Sequence, residues 1–176
     1  MSSCCSLGKP ASLPTAKSWQ RRFRTLRAMS LLCGARLTVA FVRFDRWRDS
    51  LGYEGNGSLA SPQERADARQ AAADVEWAAK RLPFATKCLP RAIALSWLLR
   101  GRSTAHSLVF AVRPADMRAP PDAIHAWVEV DGATILGDMP GPWLETLRLG
   151  ERTVRGAATR FPNSVATSSE IKQESR

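Results

Sequence analysis

The sequence predicts an α+β fold, with helices first and a small antiparallel sheet after them, and three observations carry that prediction. In three stretches between Trp19 and Arg100 apolar residues recur at steps of three and four, the period of a helix face. Beyond Arg100 the period falls to two, in HSLVFAV (106–112), IHAWVEV (124–130) and ATILG (133–137), as strands with one buried face require. Between the last two runs lies Asp131-Gly132, the pair favoured in two-residue type I′ turns, so these runs form an antiparallel hairpin.

Each element follows from its own residues. Residues 1–17 are rich in Ser, Pro and small side chains without apolar spacing, so they read as a flexible arm. From Ser18 the stripe Trp19, Phe23, Leu26, Cys33, Leu37 and Phe44 predicts a long amphipathic helix, with a break expected near Gly34 and its stripe expected to pack on its own domain. Gly52 to Ser61 is a glycine-rich loop. It leads to a helix start in which Ser61 caps, Pro62 takes the first helical position and Glu64 completes a capping box. That helix runs to about Arg81, where Leu82-Pro83 ends it. A third helix is expected from a Thr86 cap to about Arg100, with Gly101 as its stop. Residues 18–150 make the domain, and after Gly150 the residues lose apolar spacing and read as a frayed tail, 151–176.

The formal charge of +10 suggests a nucleic-acid binder, but its distribution does not. Eight basic residues precede position 45 and meet no acid, whereas the remaining 18 face all 16 Asp and Glu. The excess therefore belongs to the N-terminal segment. That segment has the Arg-rich, acid-free look of a transit peptide, although a cytoplasmic protein is the simpler reading. Leu26 to Phe44 is interrupted by Arg27, Arg36 and Arg43, so neither a secretory signal nor a membrane span is expected. The four cysteines (Cys4, Cys5, Cys33, Cys88) and two histidines (His106, His125) have no metal-ligand spacing, and no metal or other cofactor is expected.

The residues that carry chemistry are Cys88, His125 and Asp138. Cys88 falls in the first turn of the third helix, where unpaired N–H groups and the helix dipole favour a thiolate, and Lys87 and Arg91 add positive charge. Counting back from the Asp131-Gly132 turn pairs Val130 with Ala133, and so in step to His125 with Asp138. A carboxylate there would orient the imidazole as the third member of a triad does. Asp131, in the turn, and Glu129, farther along the ladder, are the rival carboxylates, expected in solvent or paired with Arg. His106 has no comparable neighbour and reads as structural. Trp127 shares the face of His125, as a wall of the site or as core. The backbone N–H of Cys88 is the natural oxyanion donor.

Two of these stretches, CLPRAIALSWLLRGR and HAWVEVDGATILGD, together with RLPFATKCLPRAIAL, resemble the transglutaminase-like leader peptidases of lasso-peptide biosynthesis over roughly residues 25–145. The resemblance implies a transglutaminase-like, papain-like cysteine protease core that removes the leader from a ribosomally made precursor peptide. It makes Cys88 the nucleophile, His125 the general base and acid, and Asp138 the orienting carboxylate. It also implies a separate leader-recognition protein, because residues 1–80 lack the strands of a fused recognition domain, and an ATP-dependent lasso cyclase acting on the product. Two departures stand out. The arm before Trp19 has no counterpart, Met29 offering an internal start, and the Ser107–Ile124 connection with its three prolines is long enough to contact substrate. Two other readings fit the residues: an acyl transferase of the transglutaminase type, and a noncatalytic module that binds an anionic partner through its basic arm.

Overall fold

The structure, a computed structural model, describes residues 16–55, 59–117 and 123–150. The 1–15 part of the arm and the 151–176 tail lie outside the described residues. Four helices precede four strands: α1 (Ala16–Phe41), α2 (Phe44–Trp47), α3 (Pro62–Ala79), α4 (Cys88–Arg100), β1 (Ser107–Val112), β2 (Ile124–Val130), β3 (Ala133–Leu136) and β4 (Leu144–Leu149). The strands form one antiparallel sheet in the order β3-β2-β1-β4, so the α+β expectation holds.

The helix α4 lies at the centre. Eight of its residues, Pro90, Ala92, Ile93, Ala94, Leu95, Ser96, Leu98 and Leu99, are buried, and a helix apolar all round must be enclosed. On one side it meets α1 and α3, on the other β1 and β2. The helix α3 offers it a face of small residues, Ala68, Ala71, Ala72, Val75, Ala78 and Ala79, which permits close approach. The sheet contributes Leu108, Ala126, Val128, Val130 and Leu136.

The helix α3 starts as its sequence dictates. Glu64 N–H donates to Ser61 Oγ at 3.2 Å and Ser61 N–H to the Glu64 carboxylate at 2.7 Å, with Pro62 in the first position. The hydrogen bond that Ser61 N–H donates to the Glu64 carboxylate, with a smaller one from the Ser61 side chain, holds that carboxyl below the usual range. The helix α4 ends differently from expectation. Gly101 is still helical, and the left-handed residue is Ser103, φ 55°. Thr104 N–H reaches Leu99 O and Ser103 N–H reaches Arg100 O, the pair of bonds that makes a Schellman closure.

Two expectations about α1 are corrected. The helix runs unbroken through Gly34, and its core face is Ala28, Leu32 and Ala35 rather than the large stripe. Trp19, Phe23, Leu26 and Leu37 point outward. The small residues fit against the Ala-rich face of α3 and the packed α4, where Trp and Phe would hold the helices apart.

The fourth strand was not legible as a strand. Its leucines, at 144, 147 and 149, break the period of two because a bulge at Thr146 shifts the pairing from Phe110↔Leu147 to Ala111↔Glu145,. Thr146 Oγ1 donates to Phe110 O at 3.1 Å and so holds the bulge in place.

His106 is structural, as read. It pairs with Tyr53 beyond the start of β1. Its Nδ1–H donates to Thr104 O at 2.8 Å, and Nε2 accepts from Ser96 Oγ–H at 2.8 Å. Ser96 Oγ in turn accepts Gly52 N–H at 2.9 Å. The chain needs a neutral imidazole, and burial pushes the His106 pKa below its ordinary value near 6.5. Below about pH 6.5 the unfolded chain takes up a proton that the folded one refuses, so stability is present above that pH and is lost as the pH falls. The slope from this group approaches about 1.4 kcal/mol per pH unit. Imidazole NMR should find His106 titrating below an ordinary histidine, and titration at or above about pH 6.5 would contradict the network.

Candidate active site

Cys88 is the first residue of α4, and the capping position belongs to Lys87, which is extended and supplies no side-chain cap bond. This corrects the expected cap at Thr86. The Thr86 hydroxyl is engaged elsewhere, accepting Arg91 Nε–H at 3.0 Å, while Arg91 Nη1 lies 3.5 Å from Glu76 of α3. The charge of Arg91 is thus shared with Glu76 and does not serve Cys88 alone. Pro90 sits third in the helix, where a missing N–H costs nothing. The Cys88 thiol, partly buried, points at Ile124 O, the first residue of β2, at 3.9 Å.

The neighbouring residue on β2 is His125, whose side chain is buried. Its Nε2 lies 2.6 Å from Gly137 O. A carbonyl can only accept, so Nε2 carries the proton and Nδ1 is the basic nitrogen. The Trp127 and Trp143 rings flank the imidazole at 5.9 and 5.1 Å between centroids. Trp127 is held by its Nε1–H on Glu129 at 2.6 Å, and Glu129 is paired with Arg148, also at 2.6 Å. Trp143 Nε1–H donates to Met139 O, and its ring carries the Arg113 guanidinium at 4.8 Å.

Asp138 does not face His125 across the ladder. The turn is as expected, Asp131 and Gly132 both left-handed, and Val130↔Ala133 and Glu129↔Thr134 pair as counted. The register then slips, and Val128 faces Leu136, leaving Ile135 as the extra residue of a bulge. The slip places Leu136 in the core, 5% exposed, with Ile135 only partly buried. It also brings the Gly137 carbonyl to the imidazole, one residue short of Asp138. No hydrogen bond joins the exposed Asp138 to His125.

The three predicted residues nevertheless share a space. Cys88, His125 and Asp138 line one cavity of about 280 Å³ with Glu76, Thr86, Arg91 and Met139. A second hollow of about 150 Å³ runs over the outer sheet face past Trp127, Glu129 and Trp143. His125, Gly137, Asp138 and Met139 border both, so the imidazole stands between two halves of one groove. The rival carboxylates are spent elsewhere: Glu129 on Arg148, and Asp131 on Ala60 N–H at 3.1 Å and Arg65 at 3.5 Å.

The profile of the transglutaminase-like superfamily matches residues 31–148. The chain belongs to that superfamily. None of the curated proteins and none of the solved structures matches it. Membership of the transglutaminase-like superfamily implies chemistry of the cysteine protease or acyltransferase kind. Among the described residues no group of three His, Cys, Asp or Glu is placed to hold a metal, and no helix is long and apolar enough to cross a membrane. Cys4 and Cys5 lie outside the described residues, as does the 118–122 part of the long connection expected to contact substrate.

Sequence reasoning missed Gly137 and Trp143. The signal for Gly137 was present, a glycine closing a strand immediately before the candidate aspartate, but only the bulge makes its carbonyl face inward. Gly137 has φ +85°, and a Cβ there would come within 2.9 Å of Ala126 O. Gly137→Ala should therefore lower the unfolding free energy by about 2 kcal/mol and release His125 Nε2. Urea titration and the loss of a protected imidazole N–H resonance would check both effects.

Proposed function

We propose that the transglutaminase-like domain is a cysteine peptidase in which Cys88 attacks a peptide carbonyl and His125 moves the protons. The observation that carries this reading is that the start of α4 and the start of β2 bring a thiol and an imidazole to one cavity, with Nε2 already engaged and Nδ1 left basic. In the first step Nδ1 takes the thiol proton and sulfur bonds to the carbonyl carbon, while the oxyanion that forms is held by the Cys88 N–H. The imidazolium next gives its proton to the departing amine, and a thioester remains. Water, deprotonated by His125, then attacks the thioester and frees the acid and the thiol.

Orientation of the imidazole is assigned to Gly137 O, and Asp138 acts by its charge on the imidazolium from the rim of the cavity. This alters the role first given to Asp138. A carboxylate that fixes the tautomer is worth about 10⁴ in rate. Here the carbonyl does that work, and Asp138→Asn should cost no more than about a hundredfold. Cys88→Ala and His125→Ala should each abolish turnover. Rates on a peptide substrate would check the order, and a loss near 10⁴ for Asp138→Asn would return orientation to the carboxylate.

The substrate class follows from the motif resemblance and the groove. The two hollows on either side of His125 suit an extended chain crossing the imidazole. On this reading the substrate is a ribosomally made lasso-peptide precursor and the cleaved piece its leader. A separate recognition protein presents the leader, and an ATP-dependent lasso cyclase uses the freed N-terminal amine. Hydrolysis and acyl transfer share the thioester, so the acceptor distinguishes peptidase from acyltransferase. Mass spectrometry of precursor incubated with enzyme and recognition protein should give two shorter peptides. A product with leader joined to an amine would identify an acyltransferase instead.

A further inference from the structure

The outer face of α1 is a second apolar face on a helix that already buries one. The inner face, Ala28, Leu32 and Ala35, is fully enclosed. The outer face carries Trp19, Phe23, Leu26, Ser30, Cys33 and Leu37 at steps of four, three, four, three and four, the alternation of a heptad seam. From Trp19 to Leu37 it runs for about 27 Å, 18 steps of the 1.5 Å helical rise. Trp19, Phe23, Leu26 and Leu37 are 51, 65, 61 and 57% exposed. Side chains of this size turned outward in register are uncommon on a face with no partner.

Charge and width narrow what covers it. In the heptad the positions beside the seam include Arg22, Arg27 and Arg36, of which Arg36 is turned onto the Phe84 ring and the Ala85 carbonyl, and α1 contains no acidic residue. Arg22 lies over the Trp19 ring at 5.9 Å, so its charge is held at the edge of the seam. A second copy of the same helix would set arginine against arginine, which opposes self-association. An anionic membrane favours a broad apolar face. This seam is narrow, with the opposite side of the helix committed to the core. A single helix with apolar seam positions and acidic flanks matches both the width and the sign of charge.

We propose that the outer face of α1 is a docking seam for an acidic amphipathic helix of a partner polypeptide. No residue of α1 lines the Cys88 cavity, so docking on the seam tethers the partner without occupying the cavity. Its test reads binding and is independent of the chemistry assigned to Cys88.

The probe is a fluorescein-labelled peptide of four heptads with Leu at the seam positions and Glu beside them, titrated with the full chain. A matched peptide with Lys in place of Glu serves as comparison. Anisotropy should give binding to the Glu peptide at least about tenfold tighter than to the Lys peptide, weakening as salt is raised. The double variant Phe23→Glu, Leu37→Glu should lose that binding with its thermal midpoint unchanged, since both side chains are more than half exposed. Equal affinity for the two peptides, or no binding in 50 mM salt, would overturn the proposal. So would a dimer in ultracentrifugation that the double variant dissolves, or flotation with phosphatidylglycerol vesicles by a chain that ignores the Glu peptide.

Discussion

Burial of α4 on every side is the constraint from which the rest of this structure follows. A helix with eight enclosed residues needs a layer above it and a layer below it, and α1 with α3 supplies one while the sheet supplies the other. Because the helix is fixed along its length, its first residue is fixed too. Cys88 therefore meets the beginning of β2, the strand that crosses beneath it, at Ile124 O. The nucleophile candidate is placed by packing, and the field at the helix start is a consequence of where the enclosed helix begins.

The imidazole is placed by a defect in the sheet. Without the extra residue at Ile135, Ile135 would face Val128 and Gly137 would fall opposite Ala126. With it, Leu136 enters the core and the Gly137 carbonyl lies 2.6 Å from His125 Nε2. Bulges beside active sites re-aim side chains in this way. The tryptophans beside the ring, one held by the Glu129–Arg148 pair and the other by the Met139 carbonyl, shield that bond from water. Shielding strengthens such a hydrogen bond by lowering the local dielectric.

The same economy explains the charge of the protein. From Asp45 onward the chain is nearly balanced, and the basic excess is concentrated before position 45. Much of it lies on α1, among residues that flank an outward apolar seam. A total charge does not show where that charge lies, and here it lies along one helix rather than over the sheet,.

Local features were determined by the sequence alone. The Ser61 capping box, the Asp131-Gly132 turn, the order of helices and strands, and the places of Cys88 at the start of α4 and His125 at the start of β2 all depend on contacts a few residues apart or on one clear period. Tertiary structure decided what depends on partners distant in the chain. It chose which apolar face of α1 turns inward, because Ala28 and Ala35 fit the small residues of α3 and Trp19 and Phe23 do not. It made Leu144–Leu149 a strand, because a bulged residue is visible only against its neighbour, β1. It also gave His125 a carbonyl in place of a carboxylate, because a one-residue slip in a hairpin is set by which of Ile135 and Leu136 the core accepts, and no turn signal records that choice.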